Sequence, residues 1–156
     1  MRPVTLVLAM LFVALNSGTA SMAQSTSGPE PLSSLPPEQL IPLVGEQCGC
    51  ATFRKGAALV DEAVIFSSTP NLGRIQVASR THEVKHVSRT VAGKDYVNTF
   101  SGVGVKVSLA TKEIPFERAC SAYPDPPPHG SCFVGAMHAR VGKRSTSIQV
   151  VQVCGC

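Results

Sequence analysis

Six cysteines constrain this chain more than any other feature. They stand as Cys48-Gly49-Cys50, Cys120 with Cys132, and Cys154-Gly155-Cys156. Two cysteines one residue apart rarely bond each other without strain, because the Cβ vectors must converge. Each C-G-C element is therefore expected to reach two different partners. The spacing leaves the choice among full pairings open. A disulfide frame is stable in an oxidising compartment, which also disfavours a cysteine-rich zinc site.

The start of the chain agrees with export. Arg2 precedes an apolar run from Val4 to Leu15, and small residues continue to Ser21-Met22-Ala23. This pattern reads as a signal peptide over residues 1–23, cut before Gln24, giving a secreted or periplasmic product. The apolar run is short for a membrane span and no later stretch is longer, so stable membrane insertion is not expected. The net charge is +4, and loss of Arg2 leaves +3. The basic residues are scattered, Trp is absent and Tyr occurs twice, so the composition does not mark a nucleic-acid partner.

Residues 24–44 are rich in Ser, Pro and Gly and read as a leader or linker. Residues 45–156 have room for one disulfide-containing domain. Within it, Pro70-Asn71 and Gly73 mark a turn. Val103, Val105, Val107 and Leu109 alternate as in a strand, and Tyr123–Gly130, with four prolines, is a loop. Cys132–Val141 and Ser147–Val153 read as two strands joined at Gly142-Lys143. No internal repeat is present.

The most specific chemical proposal is His82-Glu83-Val84-Lys85-His86. On a helix, residues four apart share one face, so His82 and His86 would aim at one zinc ion. Glu83 would take the proton from a metal-bound water attacking a carbonyl. A catalytic zinc needs a third protein ligand, and Asp95 follows Gly93, which permits a sharp turn. Read as a strand, the segment has no apolar face, with His82, Val84, His86 and Ser88 on one side and Glu83, Lys85, Val87 and Arg89 on the other. Read as a helix from about Ile75 to Ala92, it gathers Val77, Val84, Val87 and Val91 into a stripe opposite the histidines. Ser, Thr and Val are mediocre helix formers, but the stripe favours the helix. These readings predict an α+β fold: a small disulfide-stapled domain with one central metal-binding helix and several antiparallel strands.

The stretch His82–Val97 resembles the active-site segment of the aspzincin metalloendopeptidases, the deuterolysin and peptidyl-Lys metalloendopeptidase group. That segment has His-Glu-x-x-His and then an Asp nine residues past the second His, preceded by a Gly-containing turn and followed by Tyr. Weaker similarity, at Cys48-Gly49-Cys50, Pro70-Asn71-Leu72-Gly73 and Ser108-Leu109-Ala110-Thr111, extends it over residues 48–119. The resemblance implies zinc held by His82, His86 and Asp95, Glu83 as general base, and a protein or peptide substrate. Asn98 stands where the family has an oxyanion-stabilising Tyr, and would donate an amide hydrogen bond there.

A second expectation is a non-catalytic, disulfide-stapled secreted binding or protease-inhibitor module. Its C-x-C start loosely resembles the inhibitory domain of the tissue inhibitors of metalloproteinases, where the first Cys is the mature N-terminus. His129 reads as a loop residue and His138 as a structural one. No Gly-x-Ser-x-Gly setting supports a serine hydrolase.

Overall fold

Val105, Val107 and Leu109 are buried while Lys106 and Ala110 face outward. This is the period-2 signature of a strand with one covered face, and it recurs around a closed wall. The structure is a computed structural model that describes residues 32–42 and 48–156. The expected signal peptide, and the leader apart from residues 32–42, lie outside the described residues.

The strands are β1 (Leu32–Ser33), β2 (Gly49–Arg54), β3 (Val64–Ser68), β4 (Leu72–Val77), β5 (Arg80–Ala92), β6 (Asp95–Gly102), β7 (Val105–Ile114), β8 (Ser131–Val141) and β9 (Arg144–Gly155). Strands β2 to β9 each pair antiparallel with their sequence neighbours, and β9 pairs with β2. The result is an eight-stranded up-and-down barrel, and closure leaves the ring without free edges. β1 continues the wall beside β4, with Leu32 opposite Val77.

Tight hairpins explain the meander. Two residues join β4 to β5, β5 to β6, β6 to β7 and β8 to β9. Such turns need positive φ to match strand twist, which Gly93 (63°) and Gly142 (57°) supply without a Cβ penalty. The β4–β5 turn instead forces Ala78 (45°) and Ser79 (68°) there.

The barrel interior is filled at one end by Phe66, Ile75, Val84, Phe100, Val107, Leu109, Met137 and Val150. Burial of such a side chain contributes about 1.5–3 kcal/mol. A second core lies outside the wall. Residues Leu35, Cys120 and Tyr123 cover Phe53, Val64, Val151 and Val153 there. The covering segment is the long β7–β8 connection, which holds the short helix α1 (Phe116–Ala119) and the proline loop. β3 and the second half of β9 are thus covered on both faces, and β3 opens with the unbroken apolar run Val64-Ile65-Phe66.

The disulfides are Cys48–Cys156, Cys50–Cys154 and Cys120–Cys132. Cys50 lies opposite Cys154 and Gly49 opposite Gly155, so the two C-G-C elements form a ladder across the seam where the barrel closes. The third disulfide ties the β7–β8 connection to the start of β8.

Several expectations are corrected. The fold is a mostly-β antiparallel barrel, not α+β, and no central metal-binding helix exists among the described residues. Ile75–Ala92 forms the end of β4, a turn and β5. The β-branched residues Ile75, Val77, Thr81, Val84, Val87 and Thr90 suit a pleated wall better than a helix. Within the expected leader, residues 32–42 lie against the barrel. The Leu35 amide bonds to the Val64 carbonyl at 2.7 Å, and the Leu35 side chain is buried. The strand after Gly102 starts at Val105, and Val103 sits 97% exposed in the turn. The hairpin at Gly142-Lys143 is present as expected.

Candidate functional site

The mouth of the barrel beside the disulfide seam holds an open cup of about 290 Å³. Phe100 and Leu109, at the top of the packed interior, floor it. Its walls come from five consecutive strands and the seam: His86 and Arg89 on β5, Tyr96 and Asn98 on β6, Thr111 on β7, Phe133 on β8, Gln152 on β9, and the Cys50–Cys154 disulfide. Ser68, Thr69 and Pro70, from the end of β3 and the turn after it, complete the rim.

A bulge in β5 sets this arrangement. Pairing with β6 shifts between His86 and Ser88, leaving Val87 62% exposed. An extra residue reverses which side chains face inward. Before the bulge His82, Val84 and His86 face the interior; after it Arg89 lies opposite Asn98 and Val91 opposite Tyr96. The bulge thereby turns a guanidinium toward the cup. Arg89 lies over the Tyr96 ring, 5.2 Å from its centroid, a cation–π geometry. Tyr96 meets Phe133 edge-on at 5.3 Å, and His86 meets Phe100 edge-on at 5.2 Å.

The polar groups divide into matched and unmatched. Gln152 Nε2 donates to Thr52 Oγ1 at 3.1 Å, and Tyr96 OH donates to Glu113 Oε2 at 3.2 Å. Desolvation raises the Tyr96 pKa, the Glu113 hydrogen bond and charge add to the rise, and Arg89 opposes it. Thr111 is different. It is 5% exposed, yet its Oγ1 is buried with no hydrogen-bond partner. Such an orphan costs about 1–3 kcal/mol. The other orphan atom among the described residues, Gln76 Oε1, belongs to the opposite face of β4 from Ile75 and Val77, outside the barrel.

A larger cleft of about 440 Å³ lies outside the wall, between Leu40–Pro42 and the Tyr123–Pro127 loop. Its Tyr123 OH donates to Asp61 Oδ1 at 3.4 Å. Desolvation, with the charge and hydrogen bond of Asp61 and the charge of Asp125, pushes the Tyr123 pKa up to about 12. The cleft's tyrosine and Asp61 are matched to each other.

The residues proposed for zinc are not brought together. His82 and His86 lie four residues apart on a strand, about 13 Å at 3.3 Å per residue, with buried Val84 between them. Zinc needs each ligating nitrogen about 2.0–2.1 Å away. Asp95 pairs with Ala92 at the far end of the hairpin and with Lys112 across the next ladder. Glu83 faces outward toward Arg74, at 3.8 Å. The described residues contain no group of three or more His, Cys, Asp or Glu placed to hold a metal ion. Of the residues proposed for the catalytic zinc site, His86 and Asn98 line the cup. Reasoning from sequence missed Arg89, Tyr96, Thr111, Phe133 and Gln152. Of these, Thr111 was legible as the next inward position after Val105, Val107 and Leu109, a polar residue in an apolar alternation.

Comparison with protein-family models, curated proteins and solved structures found no match. Among the described residues no helix is long and apolar enough to cross a membrane. The three disulfides indicate an oxidising environment.

Proposed function

We propose that the protein is a secreted, non-catalytic binding module that holds a small molecule in the mouth of its disulfide-stapled barrel. An eight-stranded barrel is just wide enough either to be filled by its own side chains or to hold one small ligand. Here one end is filled and the other left as a cup. The volume lies at the low end of the ~300–1,000 Å³ usual for small-molecule sites. An apolar floor with a few convergent polar groups is the usual composition of such sites.

The observation that carries this reading is the cup itself, an apolar floor of Phe100 and Leu109 walled by the polar side chains of Arg89, Asn98 and Gln152. The module reading also accommodates the seam disulfides, which fix β2 against β9 and so hold the cup's shape before a ligand arrives; such preorganisation reduces the cost of binding.

The test is a fragment titration of the oxidised full chain, followed by backbone amide shifts in NMR. Shifts should cluster at Thr111, Asn98, Tyr96 and Gln152. Saturable shifts confined to the outer wall, or none from a chemically broad fragment set, would overturn the proposal.

A further inference from the structure

Resting on the reading of the cup as a binding site, we infer that its ligand class is a small aromatic carboxylate. Charge points first. The guanidinium of Arg89 lines the cup, and no carboxylate does. Glu113, the nearby acid that interacts with Tyr96, already accepts the Tyr96 hydroxyl. Arg89 makes no ion pair among the described residues. A guanidinium fork matches a carboxylate in a bidentate fashion.

Shape points to a flat ring. Tyr96 and Phe133 stand edge to face at 89°, while Phe100 closes the bottom with its own edge-on partner, His86. Aromatic walls set at steep angles favour a planar guest that meets one face and one edge. The ligand's apolar body would sit on Phe100 and Leu109, and its charge near Arg89, the exposed wall residue. No metal or covalent step is involved.

The experiment is isothermal titration of the oxidised full chain with benzoate and with its neutral counterpart benzyl alcohol, at low and high salt. Benzoate should bind at least tenfold more tightly, and added salt should shrink that preference. Arg89→Gln, at an exposed position that leaves the core intact, should bring the two probes to within about twofold of each other. Lys112→Gln, on the outer wall, should leave the preference intact. Equal binding of both probes by the unaltered protein would overturn the carboxylate assignment while leaving the cup a binding site. Failure of both probes would overturn the aromatic class as well; the binding-site reading then stands or falls on the fragment titration. Preference for benzoate that survives Arg89→Gln would also overturn the inference, because the anion would then be held elsewhere.

Discussion

Replacing Thr111 with Val tests whether its buried hydroxyl is unsatisfied in the free protein. The side chains have the same shape, and Thr111 is 95% buried with its Oγ1 unpartnered. Val for Thr is ordinarily not a neutral core change, because the hydroxyl's hydrogen bond is lost. Here the described structure offers no bond to lose. The change removes an orphan worth about 1–3 kcal/mol and adds a buried methyl worth up to about 0.8 kcal/mol. Allowing for partial hydration of the cup, the free protein should gain about 1–2 kcal/mol. For a domain of this size that is roughly 3–8 °C in Tm. Affinity for a cup ligand should stay within about twofold, because the buried oxygen offers the cup no accessible surface. Denaturant unfolding with the disulfides intact measures the first effect, and calorimetric titration the second. A Val variant less stable than the parent by 1 kcal/mol or more would refute the reasoning, since the hydroxyl would then be satisfied in the free protein.

Three further outcomes follow from the fold. Gly135→Ala should destabilise by about 3 kcal/mol or more, the upper end for overpacking. A Cβ there would lie 2.1 Å from the Ala110 carbonyl oxygen and 2.7 Å from the Thr111 Cα; near-parental stability in denaturant unfolding would contradict that packing. Removing either seam disulfide alone, as Cys48→Ser with Cys156→Ser or Cys50→Ser with Cys154→Ser, should cost about 2 kcal/mol, because the remaining bridge still closes the long loop. Removing both should cost about 7 kcal/mol on the chain-entropy model; additive losses in urea unfolding would count against the ladder. Finally, Tyr123 keeps its proton up to about 12 when folded, whereas an unfolded tyrosine loses it near ~10. The native state therefore holds more protons between those values. The stabilisation is fully present below about pH 10 and lost as pH rises toward about 12. Phenolate absorbance, with Tyr96 and Tyr123 as the two tyrosines, should rise later in the folded than in the denatured chain. Coincident curves would contradict the burial.

Parts of the barrel were legible in the sequence and parts were not, for physical reasons. Gly142-Lys143 sits between two apolar alternations, and its hairpin is read directly. The inward positions Val105, Val107 and Leu109 announce β7. The cysteine pattern announces a staple, though the ladder appears only once β2 and β9 are paired. β5 is where the reading failed. Its turn uses Ala78-Ser79, with neither Gly nor Asn to signal positive φ. Its bulge at Val87 switches the inward face halfway along, so no single alternation spans the strand. The polar residues that looked wrong for a buried face, His86 and later Arg89, are those that line the cup. A bulged strand thus imitates a helical period. The His-Glu-x-x-His spacing gathers two imidazoles only on a helix; on this strand it spreads them apart.

A crystal structure of the oxidised full chain grown with benzoate tests the central claim most directly. The account predicts the ring seated over Phe100 and Leu109, with a carboxylate oxygen at Arg89. Benzoate absent from the cup, or bound outside the barrel, would contradict it.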